Sequence, residues 1–278
     1  MIKSFRNFAS IRVLSGALLL ALAGSAFAEE DHSSHDSAPA EESHAGGAPH
    51  WSYEGEDGPS HWGELPEGEV GAAAFPACAL GDAQSPIDLG GANAIGLIVP
   101  ETHYVAGPLV LKPNGHTIEV TAPPGSDITI GGVVYDLLQV HFHTPSEHAI
   151  DGEHAQMEVH FVHQNKATGQ LAVLGVLVKP GAANQQLENI LHEQSGDDYD
   201  HRIGKMTFDP NALLPADLKV YRYDGSLTTP PCSEGVNWNV AATPIEAGQD
   251  EIWVFQSKMG VNDRPVQALN ARPLVKPD

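Results

Sequence analysis

Two short runs near the middle of the sequence carry the residues best suited to chemistry. They read L-L-Q-V-H-F-H and M-E-V-H-F-V-H. Because side chains alternate faces along a strand, His141 and His143 share one face. His160 lies on the second run, which a turn at Asp151 and Gly152 would bring back antiparallel. Three imidazoles that leave a fourth tetrahedral position open are the arrangement typical of catalytic zinc.

Two polar residues favour this metal site over the alternative. A histidine in a strand is more often a hydrogen-bonded structural residue than a ligand, and H-x-H by itself leaves the two interpretations balanced. Gln139 and Glu158, however, each lie two residues before a histidine and on its face. There they can accept the second N–H of a metal-bound imidazole. Polar residues in apolar strands are costly without partners, so the pattern favours a metal site.

A second polar segment could orient a metal-bound oxygen. It reads S-L-T-T-P-P-C and contains Thr228, whose hydroxyl has one donor and two acceptor lone pairs. If this hydroxyl donates to a buried carboxylate, its lone pairs turn toward the metal. Glu147, shortly after the first histidine run, is the available carboxylate. Taken alone, T-T-P-P is more simply a rigid turn.

The N-terminus has the pattern of a secretory signal peptide. Lys3, Arg6 and Arg12 precede an apolar run that ends in A-F-A at Ala28. The run is too short to span a membrane comfortably. We therefore expect residues 1–28 to be a signal peptide cleaved after Ala28, and the protein to be periplasmic or secreted, with no membrane attachment after cleavage.

Beyond the signal, composition divides the chain into a tail and one domain. Residues 29–50 are acidic and rich in Ala and Ser, so we expect them to form a disordered tail. The histidines of this tail do not have the spacing of metal ligands, and weak metal binding by them is the alternative interpretation. Residues 51–278 contain no linker or repeat and predict one globular domain. Removing the three signal cations changes the net charge from −22 to −25, which argues against nucleic acid as a partner.

Two cysteines, Cys78 and Cys232, complete the chemistry-bearing residues. In an exported protein an even pair predicts one disulfide, and two free thiols are the alternative. The bond would close a very long loop, worth roughly 4–5 kcal/mol at most in the chain-entropy model.

The elements that must position these residues are mostly short strands. Alternating or apolar runs separated by Pro and Gly predict them. The runs are Leu109–Lys112, Thr117–Thr121, Ile128–Val134, Leu171–Val178, Leu218–Tyr223, Val236–Ala241 and Ile252–Phe255. The continuously apolar run at 171–178 predicts a central strand covered on both faces. Asn184 is expected to cap a helix that ends at Gln194.

Several motifs in this order resemble the α-class carbonic anhydrases, in their bacterial exported form. They are Q-x-H-F-H, S-E-H, E-x-H-x-V-H, L-T-T-P-P and N-G-H, together with H-W-G, Q-S-P-I-D and N-D-R-P-V-Q. The resemblance runs from about Trp51 to the C-terminus. It implies a mainly β (α+β) single domain: a large, twisted, mostly antiparallel central sheet with short surface helices and zinc at the base of a conical cleft.

The same resemblance implies an activity and a role for each site residue. The activity is reversible hydration of carbon dioxide to bicarbonate and a proton by attack of zinc-bound hydroxide. His141, His143 and His160 would bind Zn²⁺, with Gln139 and Glu158 as their outer partners. Thr228 would orient the hydroxide and Glu147 would accept the threonine proton. The pocket for carbon dioxide would be formed by Val162, Val173, Leu227, Thr229, Val236 and Trp238.

The resemblance also implies a proton path and points to two departures. His116 matches the family's proton shuttle, since an imidazole exchanges protons near neutral pH, although a histidine after Asn-Gly is by itself a turn residue. Tyr53 and Asn114 match residues that hold the connecting waters. Glu119 replaces an amide that is common at the cavity rim, and Thr144 begins a Thr-Pro step where many animal members carry Trp-Gly.

Other functions would use the same residues differently. A non-catalytic binding or adhesion module on this scaffold would typically lack one of the zinc histidines, and all three positions are histidine here. A zinc-buffering protein would need neither Thr228 with Glu147 nor an apolar wall. Ester hydrolysis is expected as a side activity. A homodimer is possible, as in bacterial relatives.

Overall fold

The structure is a computed structural model that describes residues 48–68, 71–194 and 206–278. The predicted signal peptide and nearly all of the predicted tail lie outside these residues. Within them, no helix is both long enough and apolar enough to cross a membrane.

One large mixed sheet dominates the described part of the chain, as predicted. Its strands are β1 (Ala94–Ile95), β2 (Glu101–His103), β4 (Leu111–Pro113), β5 (Ile118–Thr121), β6 (Asp127–Ile130), β7 (Val133–His143), β10 (Met157–Gln164), β11 (Leu171–Pro180), β13 (Val220–Ser226), β14 (Glu234–Ala241), β15 (Ile245–Ala247) and β16 (Val275–Lys276). The main path through the sheet runs β1-β16-β13-β14-β11-β10-β7-β5-β4. Most neighbours are antiparallel, whereas β11 pairs in parallel with β14 and β15, and β1 with β16.

Small elements decorate this sheet. Two strand pairs lie outside it: β3 (Gly107–Pro108) with β12 (Thr207–Phe208), and β8 (Ala149–Ile150) with β9 (Glu153–His154). The described helices are α1 (Ala77–Leu80), α2 (Gln185–Gln194), α3 (Gln249–Met259) and the 3₁₀ turns Gly55–Asp57, Trp62–Glu64, Leu89–Gly91 and Pro210–Leu213. Asn184 caps α2 as predicted, since its Oδ1 accepts from the Gln186 N–H at 2.9 Å.

The two faces of the central sheet differ in chemistry. One face joins the larger apolar core, in which Val140, Phe161 and Leu174 are fully buried. The opposite face carries the histidines and a smaller apolar cluster around Trp238. Strand β11 contributes to both apolar clusters, because the side chains of its continuously apolar run at 171–178 alternate between the two faces of the sheet.

One predicted strand is a helix. The run Ile252–Phe255 is rich in β-branched and aromatic residues, which favour strands. The structure places it inside α3, where Ile252 and Phe255 are buried while Trp253 is 59% exposed. That burial spacing is helical, and Glu251 caps the helix by accepting from the Gly248 N–H at 2.7 Å. The prediction was wrong because capping and i,i+3 spacing outweigh local strand propensity.

Other strand boundaries also differ from the predicted ones. Ile128–Val134 is not one strand but a hairpin of β6 and β7, because Gly131 and Gly132 both adopt positive φ and form the turn. The strand predicted at 109–112 begins two residues later than expected, at Leu111, so that Leu109 lies outside it.

Candidate metal centre

The register of two strands brings the predicted ligands together. β7 and β10 are antiparallel, and His141 lies directly opposite His160. His143 follows two residues later on the same face of β7. The hairpin between the strands contains the predicted turn, where Asp151 and Gly152 both have positive φ. Each histidine offers a ring nitrogen, and the three nitrogens lie within 4.8 Å of one another.

Outer partners fix the orientation of the two β7 rings. The Gln139 Oε1 lies 2.8 Å from His141 Nδ1, which leaves the Nε2 of that ring free for a ligand bond. The backbone oxygen of Asn262 lies 2.7 Å from His143 Nδ1. His143 Nε2 is buried and has no hydrogen-bond partner. Such partners determine which nitrogen of a metal-bound histidine carries the proton.

Glu158 is the centre of the network behind the third ring. Its Oε2 accepts from the His148 N–H at 2.9 Å and its Oε1 lies 2.7 Å from His148 Nδ1. The same Oε1 is 3.0 Å from His160 Nε2, although this contact lacks the alignment of a hydrogen bond. His148 Nε2 in turn meets the Tyr223 hydroxyl at 2.7 Å. These charges and hydrogen bonds hold the pKa of Glu158 well below its usual range despite burial.

Burial keeps the three ligand histidines in their neutral form. It lowers the pKa of His141 well below the usual value, with neighbouring His143 and His160 adding to the shift. Burial lowers the pKa of His143 to about 4, and it also lowers that of His160, against the opposing charge of Glu158. Neutral imidazoles are the form that binds metal, so the site is prepared for a cation.

The donor set fits zinc. Three neutral imidazole nitrogens converge, and one of them, His143 Nε2, is buried with no hydrogen-bond partner. Unpartnered buried nitrogens are costly unless something binds them. His148, Glu158 and His160 form a second group of close ligand atoms among the described residues, but both nitrogens of His148 already have partners. The metal position therefore belongs to the predicted triad.

Glu147 lies beneath this position and is fully buried. Its Oε1 accepts from the Arg264 N–H at 3.0 Å, and its Oε2 is 3.5 Å from His143 Nε2 without a hydrogen-bond partner. Burial raises the pKa of Glu147 to about 7, although His160, the Arg264 N–H and the Thr228 hydroxyl act against the rise. Thr228 is itself buried. The structure thus places Thr228 beside Glu147 but shows no aligned hydrogen bond between them.

The predicted apolar wall forms one cluster. Val173, Val236 and Trp238 are buried in it, and Val162 and Leu227 pack against them. The Trp238 ring lies 5.0 Å from the His160 ring. Thr229 follows Thr228 at the partly exposed edge. These residues come from β10, β11 and β14 and from the loop that follows β13.

The predicted proton-path residues lie together at the rim. His116 stacks on Trp51 with ring centroids 3.7 Å apart. Asn114 Oδ1 accepts from the His116 N–H at 3.0 Å. Tyr53 packs edge-on against Trp51, and burial with Glu147 nearby raises the pKa of its hydroxyl well above the usual value. Partial burial lowers the pKa of His116, with His50 contributing.

A buried arginine ties the site to distant parts of the chain, and sequence reasoning missed it. Arg264 is 1% exposed and donates to Gln84 Oε1 and to the Ser85 backbone oxygen, both at 2.8 Å, and to the Cys78 oxygen at 2.9 Å. Cys78 forms the predicted disulfide with Cys232 in the loop after Thr228. The N-D-R-P-V-Q motif was the only signal of this role.

Comparison with known proteins agrees with this geometry. Residues 57–277 match the eukaryotic-type carbonic anhydrase family. A carbonic anhydrase of Klebsiella pneumoniae is 41% identical over 237 residues, covering 82% of this chain and 92% of that protein. One from Neisseria gonorrhoeae is 38% identical over 266 residues, covering 93% and 95%.

A solved structure matches as well. The α-carbonic anhydrase of Thermovibrio ammonificans, in complex with the inhibitor sulfanilamide, superposes with a TM-score of 0.73 at 42% identity, covering 83% of this chain and all of that one. The chain belongs to the α-carbonic anhydrase family. Its activity is the reversible hydration of carbon dioxide, and its cofactor is zinc. The disulfide and the bacterial relatives together place this carbonic anhydrase outside the cytoplasm.

Proposed function

We propose that His141, His143 and His160 hold the zinc of this carbonic anhydrase and that the predicted neighbours perform the rest of its chemistry. The observation that carries the proposal is the convergence of one ring nitrogen from each of the three histidines within 4.8 Å of one another, with His143 Nε2 buried and without a hydrogen-bond partner. When bound, zinc acts as a Lewis acid that brings deprotonation of a water molecule into the neutral range, as is known for carbonic anhydrases themselves.

Gln139 and Glu158 set the orientation of the ligands. Gln139 accepts from His141, so that His141 presents Nε2 to the metal. Glu158 is ionised and already receives two contacts from His148, which holds its carboxylate rigidly behind His160. Rigid outer partners reduce the freedom that the ligands lose on binding metal.

Thr228 and Glu147 orient the nucleophile. Glu147 is fixed by the Arg264 N–H and has one oxygen to spare. When ionised, it accepts a hydrogen bond from the Thr228 hydroxyl, so the threonine lone pairs must face the reacting oxygen. A divalent cation nearby favours the ionised form, which is the one this role requires.

The apolar wall receives carbon dioxide. Val162, Val173, Leu227, Val236 and Trp238 offer no charged group, and Thr229 closes their edge. A nonpolar, uncharged substrate is held there weakly, next to the metal position. The charged product gains nothing from such a surface, which favours its release.

His116 carries the proton to solvent. It is partly exposed at the rim and stacks on Trp51, while Asn114 fixes its backbone. Partial burial lowers its pKa, which favours release of a proton from this imidazole to buffer. Tyr53 and Asn114 hold the waters that connect it to the site. Replacing His116 by Ala should reduce turnover at low buffer concentration, with recovery on addition of imidazole.

Location and assembly follow the sequence predictions. We propose that cleavage after Ala28 releases the enzyme into the periplasm or the medium, leaving residues 29–50 as a tail ahead of a catalytic domain at 51–278. Mass spectrometry of the exported protein tests the cleavage site. The homodimer stays a prediction that light scattering of the mature protein decides.

Stopped-flow hydration of carbon dioxide by the mature protein tests the function. Hydration should disappear when a chelator removes the metal and return when zinc is restored. One tightly bound zinc per chain without hydration would instead indicate a binding module on the same scaffold.

A further inference from the structure

A carboxylate lies on the metal face without belonging to the ligand set or its partners. Glu119 on β5 is the direct cross-strand neighbour of His141 on β7. Residues paired in this way project from the same face of a sheet. The side chain of Glu119 is only 13% exposed. Its charge is therefore held in the wall beside a zinc ligand.

The contacts of Glu119 leave this charge incompletely compensated. Lys112 Nζ lies 3.6 Å from its Oε1, but the lysine side chain is 66% exposed and its charge is largely screened by water. Asn114 Nδ2 donates to its Oε2 at 3.2 Å, which fixes the carboxylate without neutralising it. Glu119 is largely buried, whereas its partner cation is mostly exposed to solvent. The negative charge of Glu119 on the metal face is therefore only partly compensated.

We propose that Glu119 determines ligand specificity at the metal centre by weakening the binding of anions while leaving neutral molecules unaffected. The proposal rests on the zinc site described above. Carbon dioxide is neutral, whereas bicarbonate and the inorganic anions that compete for an open zinc position are charged. A fixed negative charge near that position opposes retention of all such anions and favours the arrival of a divalent cation.

The expected size follows from Coulomb's law. The direct pairing of Glu119 with His141 implies a separation on the order of 10 Å between its charge and an anion on the metal. At that separation in a partly solvated cavity, the repulsion corresponds to a roughly three- to tenfold change in the anion's dissociation constant. Glu119→Gln removes the charge and keeps the shape and the contact with Asn114. It should bind thiocyanate more tightly by that factor. Glu119→Asp keeps the charge and should stay close to wild type.

Two measurements test this. The inhibition constant of thiocyanate is measured on the zinc holoenzyme. The dissociation constant of thiocyanate is also measured on the cobalt-loaded protein by visible absorption, which does not depend on turnover. The neutral ligand 1,2,4-triazole is titrated in parallel at about pH 8. Asp136→Asn is the matched control. Asp136 also pairs with an exposed lysine, Lys166 at 2.9 Å, but lies five residues before His141 on β7, or ~16 Å along the strand.

The outcomes separate a charge effect from a structural one. Tighter thiocyanate binding in Glu119→Gln, unchanged triazole binding, and wild-type values in Asp136→Asn support the proposal. Unchanged thiocyanate binding would overturn it, and so would equal tightening of both ligands, which would indicate a change of shape. Absence of zinc binding or hydration in the wild type would instead contradict the proposed function, so the two failures are distinguishable.

Discussion

Strand β10 carries two buried histidines, and the contrast between them shows what identifies a metal ligand. His163 is fully buried, yet its Nε2 meets the Tyr104 hydroxyl at 2.8 Å and its Nδ1 lies 3.3 Å from the Ala172 oxygen. His160 is equally buried, on the opposite face, but its Nδ1 is 3.9 Å from Glu147 and its Nε2 has no aligned partner.

Burial and a lowered pKa do not separate the two residues. Burial lowers the pKa of His163 to about 3 and also lowers that of His160. The two residues differ in whether both ring nitrogens have a hydrogen-bond partner. A structural histidine has a partner for both, whereas a ligand keeps one for the metal. The following predictions test this contrast, in decreasing order of their expected effect on metal binding.

His160→Ala should have the largest effect. Losing one of three ligands should weaken zinc binding and hydration by on the order of 10³-fold or more, since the open site needs all three. Zinc content and stopped-flow hydration measure this. His163→Ala on the same strand should retain one zinc per chain. Normal turnover in His160→Ala would contradict the assignment of the triad.

Glu158→Gln should come next. It replaces a buried charge by an amide of the same shape, so His160 loses the negative partner behind its ring. Zinc affinity should fall about 100-fold, the upper end of what outer partners contribute in zinc enzymes, carbonic anhydrases included. Competition with a chelator measures the affinity. An unchanged affinity would mean that Glu158 serves His148 alone.

Gln139→Ala should be milder. Gln139 is a neutral partner of His141 at 2.8 Å and is only partly buried, so water can replace its oxygen. We expect about a tenfold loss of zinc affinity in the same chelator competition. A loss greater than that of Glu158→Gln would reverse the proposed order of the two outer partners.

His163→Gln should leave metal binding unchanged and alter only the acid stability. With a folded pKa of about 3 against an ordinary 6.5, His163 is favoured neutral in the fold. Its contribution is complete above pH 6.5 and is lost as pH falls through the folded pKa. The loss amounts to about 1.4 kcal/mol per pH unit within that window. Urea unfolding in chelator between about pH 7 and pH 4 should show a shallower decline for the variant.

The sequence could predict the features of the site that follow from the alternation of side chains along a strand. Strand alternation placed His141, His143 and His160 on one face, and the polar positions Gln139 and Glu158 followed from the same rule. The strand-dominated fold and the disulfide were also predicted correctly, from alternation, turn residues and the cysteine pair of an exported chain. The large twisted sheet was predicted only through the family resemblance.

Features that depend on distant contacts could not be predicted in this way. Nothing local distinguishes His148 from the ligands, and its role is visible only once Tyr223 lies against it. Asn262 and Arg264 reach His143 and Glu147 through backbone atoms, whose partners are set by the fold. The strand predicted at 252–255 failed because burial spacing and the cap at Glu251 decide for the helix.

Two hydrogen bonds join the site to the 262–264 segment, one at His143 at the end of β7 and one at Glu147 shortly after it. His143 finds its acceptor 119 residues further along the chain, and Glu147 finds its donor 117 residues further along. Neither contact exists until that segment has packed against the site. A shortened chain that stops before Asn262 would keep all three ligand histidines. However, His143 would lack the backbone oxygen that orients its ring. The competence to hold zinc is therefore acquired late, when the enzyme is nearly complete.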